Sequence, residues 1–134
     1  MSGRSEPPHD RQRAEREGRR GETVAALWLT CKGWQILERR ARTPLGEIDI
    51  IARRGRVLAF IEVKWRRRPE DALNALHPRQ QQRMLRAGAL WRSRRTALTH
   101  HATRFDLICV SPGRWPRHLK GVLSAEGHKQ SALI

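Results

Sequence analysis

Residues 46–64, GEIDIIARRGRVLAFIEVK, hold the side chains best able to do chemistry. Asp49 lies in the first of two short apolar segments, and Glu62 and Lys64 lie in the second. Apart from those two charges, the second segment is rich in branched and aromatic residues, the composition of a central buried strand. Burying a carboxylate or an ammonium costs several kcal/mol unless the group is paired or bound to a metal. Two acids and an amine in such strands suit metal-assisted hydrolysis of a phosphodiester. Asp49 and Glu62 offer hard oxygen ligands for Mg2+ (or Mn2+), which keeps several waters and takes few protein ligands. The backbone carbonyl of Val63, between Glu62 and Lys64, could add another. Lys64 could orient the attacking water or stabilise charge on the pentacovalent phosphorus. Only four of the 28 basic residues are lysine (Lys32, Lys64, Lys120, Lys129), so a lysine ending the E-x-K run is not what composition alone would place there. The competing account is a partly buried ion pair, Asp49–Lys64 or Glu62–Lys64, at a strand end.

The acids must be brought together by a hairpin. Side chains alternate along a strand, so Glu47, Asp49 and Ile51 share one face of the first segment. Leu58, Phe60, Glu62 and Lys64 share one face of the second. With a two-residue loop at Arg54 and Gly55, Arg53 pairs with Arg56 and Asp49 lies opposite Phe60. Asp49 is then diagonal to Glu62, about 7–8 Å away on the same face. A three-residue loop would turn Asp49 to the wrong face.

Around this hairpin the chain reads as α/β. Residues 1–20 look like a basic, disordered arm with a helical stretch from Arg11 onwards. Residues 21–32 form a helix stopped by Gly33. Its stripe of Glu22, Ala25, Ala26 and Leu29 faces the sheet and draws Glu22 toward the core; a carboxylate in a first helical turn is equally explained by the helix dipole. Residues 34–40 form an edge strand. Residues 77–97 form a second helix opened by Pro78, with Gln80, Met84, Ala87 and Trp91 inward and Gln81, Leu85 and Gly88 beside them. Residues 104–110 form a last strand. The order helix, three strands, helix, strand gives a mixed sheet of about four strands flanked by helices. The domain spans residues 21–122, and residues 123–134 read as a flexible tail.

Lys and Arg number 28 against 13 Asp and Glu, a net charge of +15 on 134 residues with a pI near 11.7. Such a charge on a single domain is the footprint of a nucleic-acid partner. Arg66, Arg67, Arg68 and Arg83, with Gln80, are the candidate nucleic-acid contacts. Arginine clusters hold phosphates but carry no base information, so recognition should follow structure rather than sequence. No apolar run reaches the ~20 residues of a membrane span, and no secretory leader is visible. Cys31 and Cys109 lack metal-ligand spacing and read as reduced core thiols of a cytoplasmic protein.

Glu22, Ala25, Ala26 and Leu29, followed by Gly33-Trp34, GEIDIIAR, FIEVKWR and RFDLICV, resemble the YraN-type proteins. That resemblance covers residues 21 to about 122. It implies a restriction-endonuclease-like fold of the PD-(D/E)xK superfamily, similar to archaeal Holliday-junction resolvases. It further implies a nuclease in which Asp49, Glu62 and Lys64 are the core residues and Glu22 contacts a second metal or its water. Asp106 matches a family position whose partner here would be Arg104. The departure is Gln80, where relatives often carry lysine. The expected function is a Mg2+-dependent endonuclease on structured or branched DNA, DNA rather than RNA, acting as a homodimer. The alternative is a non-catalytic nucleic-acid-binding module of nuclease fold, accessory to a partner. A basic RNA- or ribosome-associated protein is a third reading.

Overall fold

The computed structural model describes residues 8–74 and 76–123. Helix α1 (Pro8–Cys31) leads into β1 (Gln35–Thr43), β2 (Gly46–Arg54) and β3 (Val57–Trp65). A short α2 (Asp71–Asn74) and α3 (Pro78–Ser93) then cross over to β4 (Ala102–Val110), and β5 (Arg117–Leu123) closes the sheet. The strands lie in the order β1-β2-β3-β4-β5. Only β3 and β4 are parallel, as a helical crossover between them requires.

The sheet is mixed and covered on both faces, which makes β3 its buried centre. Leu58, Ala59, Phe60 and Ile61 are all fully buried. Ala59 and Ile61 pack with Ala25, Leu29 and Trp34 on the α1 side. Leu58 and Phe60 pack with Met84, Ala87, Trp91 and Phe105 on the α3 side. The alanines of α1 let that helix lie close to the sheet. On its outer side Val24 and Leu27 are exposed, while Trp28 packs half-buried against the α1-side core.

Four features differ from the sequence reading. Helix α1 starts at Pro8, so the segment taken as a disordered arm is helical from that residue. Charged pairs at helical spacing replace apolar periodicity there, as in Arg13–Glu17 at 3.3 Å. Strand β5 is an addition to the expected sheet, and α3 ends at Ser93 rather than Ala97. Cys31 is exposed at the end of α1, so only Cys109 is a core thiol. Residues 1–7 and 124–134, including most of the expected tail, lie outside the described residues.

Candidate active site

The hairpin forms one residue later along the chain than the sequence suggested. Its loop is Gly55-Arg56, with Arg54 paired to Val57 and Ile50 to Ile61. Gly55 takes φ 58° at the first loop position, where a type II′ turn needs a glycine. Moving the loop by one residue slides the pairing by two, so the face is kept. Asp49 therefore comes opposite Glu62 itself, not opposite Phe60.

The ladder stops just there. Ile48 and Ile51 both join the α3-side core, although residues three apart in a regular strand face opposite ways. Strand β2 thus bends at Asp49. Across the β1 ladder, Arg39 pairs with Ile50 and Ala41 with Ile48, and Arg40 between them has φ 50°. A non-glycine residue in that region is strained by about 1–3 kcal/mol. The bend removes a backbone acceptor from Val63, and the Asp49 carboxylate replaces it, accepting from the Val63 N–H at 2.8 Å. A residue's N–H and C=O leave a strand on the same edge, so the Val63 carbonyl also faces Asp49.

The remaining groups close around this pair. Glu62 is buried and lies 3.3 Å from Lys64 Nζ. Gln80, from the first turn of α3, donates to Glu62 Oε1 at 2.7 Å and accepts from Lys64 at 3.2 Å. Gln80 therefore bridges acid and amine. Glu22 is buried on α1, with one carboxylate oxygen 2.9 Å from Arg40 and the other buried without a partner. It lies two turns and more inside the helix, so its position is not set by the helix dipole.

Charge crowding follows. Burial, then the Glu62 charge, raises the Asp49 pKa from 3.8 to about 8, against the Val63 hydrogen bond and with a further push from Glu22. Burial also raises Glu62, with Lys64 offsetting part of that rise. Asp49 thus holds a proton near neutrality unless another cation takes its place. A hard divalent ion with few protein ligands fits this set: two carboxylates, one carbonyl and the spare oxygen of Glu22 nearby. Among the described residues no three His, Cys, Asp or Glu side chains form a cage by themselves.

A cavity of about 180 Å³ opens over the pair, lined by Asp49, Glu62, Gln80, Arg83 and Met84, with Gly46 and Glu47 at its rim. Arg83 lies along it, about 3.7 Å from the space a Cβ on Gly46 would occupy. Arg66 is tied to the sheet through its N–H to Val110 O, and its guanidinium caps the Trp65 carbonyl. Arg67 and Arg68 are exposed. Trp65 packs against the α1-side core and is no stacking platform.

Asp106 is separate from this centre. It is fully buried and accepts from Arg104 at two points, from His118 and from the Gly121 N–H. Burial alone would raise its pKa, but the His118, Arg104 and Gly121 hydrogen bonds outweigh it and hold the carboxyl below its usual range. With His118 set edge-on to Trp28 and Trp34, this cluster fastens β5 to β4.

Fold and site together define a small mixed α/β protein with an acid–acid–lysine centre at a bend in its sheet. The chain belongs to the UPF0102 family, described as "Uncharacterised protein family UPF0102", whose model matches residues 21–110. It is 50% identical over 108 residues to a UPF0102 protein of Maricaulis maris, covering 81% of this chain and 85% of that one. A UPF0102 protein of Caulobacter vibrioides is 52% identical over 106 residues, covering 79% and 85%. One from Rhodopseudomonas palustris strain HaA2 is 47% identical over 122 residues, covering 89% and 93%. No helix of the described residues is long and apolar enough to cross a membrane.

Proposed function

We propose that this protein is a Mg2+-dependent endonuclease of the PD-(D/E)xK kind, cutting phosphodiesters in structured or branched DNA. The observation that supports it most is the convergence of Asp49 and Glu62 on one cavity, with Lys64 3.3 Å from Glu62 and the Asp49 pKa at about 8. A carboxyl pair so reluctant to ionise together is what a divalent cation would relieve, by displacing the proton. Asp49, Glu62 and the Val63 carbonyl would hold the ion, and Glu22 would reach it through water. When bound, such an ion polarises the phosphate and makes water a better nucleophile. Lys64 orients the attacking water and offsets charge gathering on the phosphoryl oxygens. Arg83, with Arg66, Arg67 and Arg68, positions phosphates without reading bases. Two symmetric cuts in a junction call for a homodimer on DNA, and the setting is cytoplasmic.

Calorimetric titration of Mg2+ and Mn2+ into wild type and Glu62→Gln tests the centre directly. Wild type should bind an ion that the variant does not. Asp49→Ala should lose cleavage of branched DNA while keeping its affinity for it. A wild type that binds neither ion and cuts no branched, flapped or single-stranded DNA overturns the reading.

One observation favours the alternative of a non-catalytic nucleic-acid-binding module. Gln80 ties Lys64 and Glu62 into a closed hydrogen-bonded triangle, leaving the amine less free to act. Binding that is strongly salt-dependent but indifferent to EDTA, with no cleavage, is the result that reading requires.

A further inference from the structure

Helix α3 does more than supply Gln80. Arg79, Arg83, Arg86, Leu90 and Arg94 follow at helical spacing and make one stripe along its flank. The four arginines are exposed and make no salt bridge among the described residues. The near end of the stripe is the acidic cavity, lined by Arg83. The far end is a second and larger cavity of about 410 Å³ between α3 and β1, lined by Arg42, Thr43, Leu90, Trp91, Arg94 and Arg95, with Glu38. Both cavities border α3, the near one together with β2 and β3 and the far one together with β1.

The far cavity is built for an anion. Arg95 stacks its guanidinium 3.7 Å over the Trp91 ring and donates to the Trp91 carbonyl at 2.8 Å, which fixes its direction. Its contact with Glu38 is loose, at 3.7 Å, as is that of Arg42 with Glu47 at 3.8 Å. Exposed pairs of that length contribute little and give way readily to a better anion. The Trp91 indole N–H is buried beneath with no acceptor.

We infer that the flank of α3 joining these two cavities is a groove that tracks the backbone of one DNA strand, leading from the acidic centre to a phosphate anchor at Arg42, Arg94 and Arg95. The inference rests on the proposed function and extends it, by giving the direction in which the strand leaves the site. From Arg83 to Arg94 is eleven residues of helix, or about 16 Å at 1.5 Å each. Successive phosphates along a strand's backbone lie about twice the ~3.4 Å axial rise apart, so that span covers roughly two or three of them. Charge complementarity supplies the occupant, and a row of four exposed arginines along one helix flank suits a run of phosphates rather than a single free one.

The test measures anisotropy of a labelled branched DNA with the full chain in EDTA, across a salt series. Arg86→Gln/Arg94→Gln is compared with Arg16→Gln/Arg19→Gln, which removes the same charge from exposed positions on α1. Glutamine keeps the helix propensity of arginine, and unchanged circular dichroism melts verify both folds. The α3 pair should lower the slope of log K against log[salt] by about 2, and affinity by roughly 10- to 100-fold near 0.1 M salt. The α1 pair should leave the slope nearly unchanged. Inorganic phosphate should compete only weakly, and affinity for single strands should grow with length up to about the groove's span. Equal losses in the two pairs, no loss in the α3 pair, or no DNA binding at all overturns the track. Because the readout excludes metal, a protein that cuts nothing can still pass, and one that cuts can still fail.

Discussion

Replacing Asp49 by asparagine should stabilise the protein at neutral and alkaline pH. In the native state its pKa stands at about 8 instead of 3.8, so the folded chain keeps a proton that the unfolded chain releases. Between those values unfolding releases about one proton, and the stabilising contribution of protonated Asp49 is lost as pH rises. That contribution is complete below 3.8 and gone once the pH passes 8. At about 1.4 kcal/mol per pH unit, the whole shift amounts to roughly 6 kcal/mol. The carboxyl is only half-buried at the cavity floor, and water screening at the open side leaves ~2–4 kcal/mol. Asparagine keeps the acceptor for the Val63 N–H and offers Glu62 a donor, with no charge at any pH. Urea unfolding of wild type and Asp49→Asn in EDTA from about pH 4 to pH 8 follows the effect, because titrations away from the Asp49–Glu62 pair cancel in the difference. The two should be alike near pH 4, and the variant should gain steadily toward pH 8. Added Mg2+ should narrow the gap by stabilising wild type alone, through binding to the native state. A difference that is flat with pH, or that favours wild type at pH 8, refutes the charge crowding on which the site reading rests.

Three other substitutions probe the frame. Gln80→Ala removes both bridging hydrogen bonds and should cost about 1–2 kcal/mol by urea denaturation. Gly88→Ala places a Cβ 2.9 Å from the Phe105 ring and 3.2 Å from Phe60, so overpacking of about 1–3 kcal/mol should exceed the helix-propensity gain and lower the melting temperature. Asp106→Asn leaves Arg104 and His118 without their buried counter-charge and should cost about 3–5 kcal/mol at neutral pH. Since the Asp106 pKa is lowered by folding, its contribution is present above 3.8 and fades as pH falls through the folded value. The variant should therefore unfold in acid with a shallower pH dependence.

The centre was legible in the sequence because β3 violates its own composition. A strand whose middle is fully buried has no structural use for Glu62 and Lys64, and the glycine of the preceding turn sets the register that faces Asp49 toward them. The turn was misplaced by one residue because Gly55 suits either loop position on composition, while its first position follows from backbone twist. The bend at Asp49 was not legible. It depends on Arg40 at positive φ, and nothing about an arginine in a charged edge strand announces that conformation. The helix over residues 8–20 was legible only as a stretch from Arg11 onwards, because its support comes from charges at helical spacing rather than an apolar stripe. Strand β5 was hidden because RHLKGVL lacks alternation, its His118 and Gly121 being spent on Asp106 instead.

On the proposed function, the bend and the net charge have a joint consequence. A chain with charge +15 draws in polyanions, yet Asp49 and Glu62 line the cavity, with the charge of Glu22 felt at Asp49, and together they repel a phosphate. The proton on Asp49 lessens that repulsion at neutral pH but leaves no ligand for an ion. A divalent cation removes the proton and reverses the sign of the floor, so the scissile phosphate and the ion should each raise the affinity for the other by the same factor. The arginine stripe on α3 is then what holds DNA before the ion arrives, because its phosphates lie outside the reach of the acids. Protein without metal should accordingly bind DNA through the groove, and adding the ion should strengthen binding only for substrates long enough to cover the acidic centre.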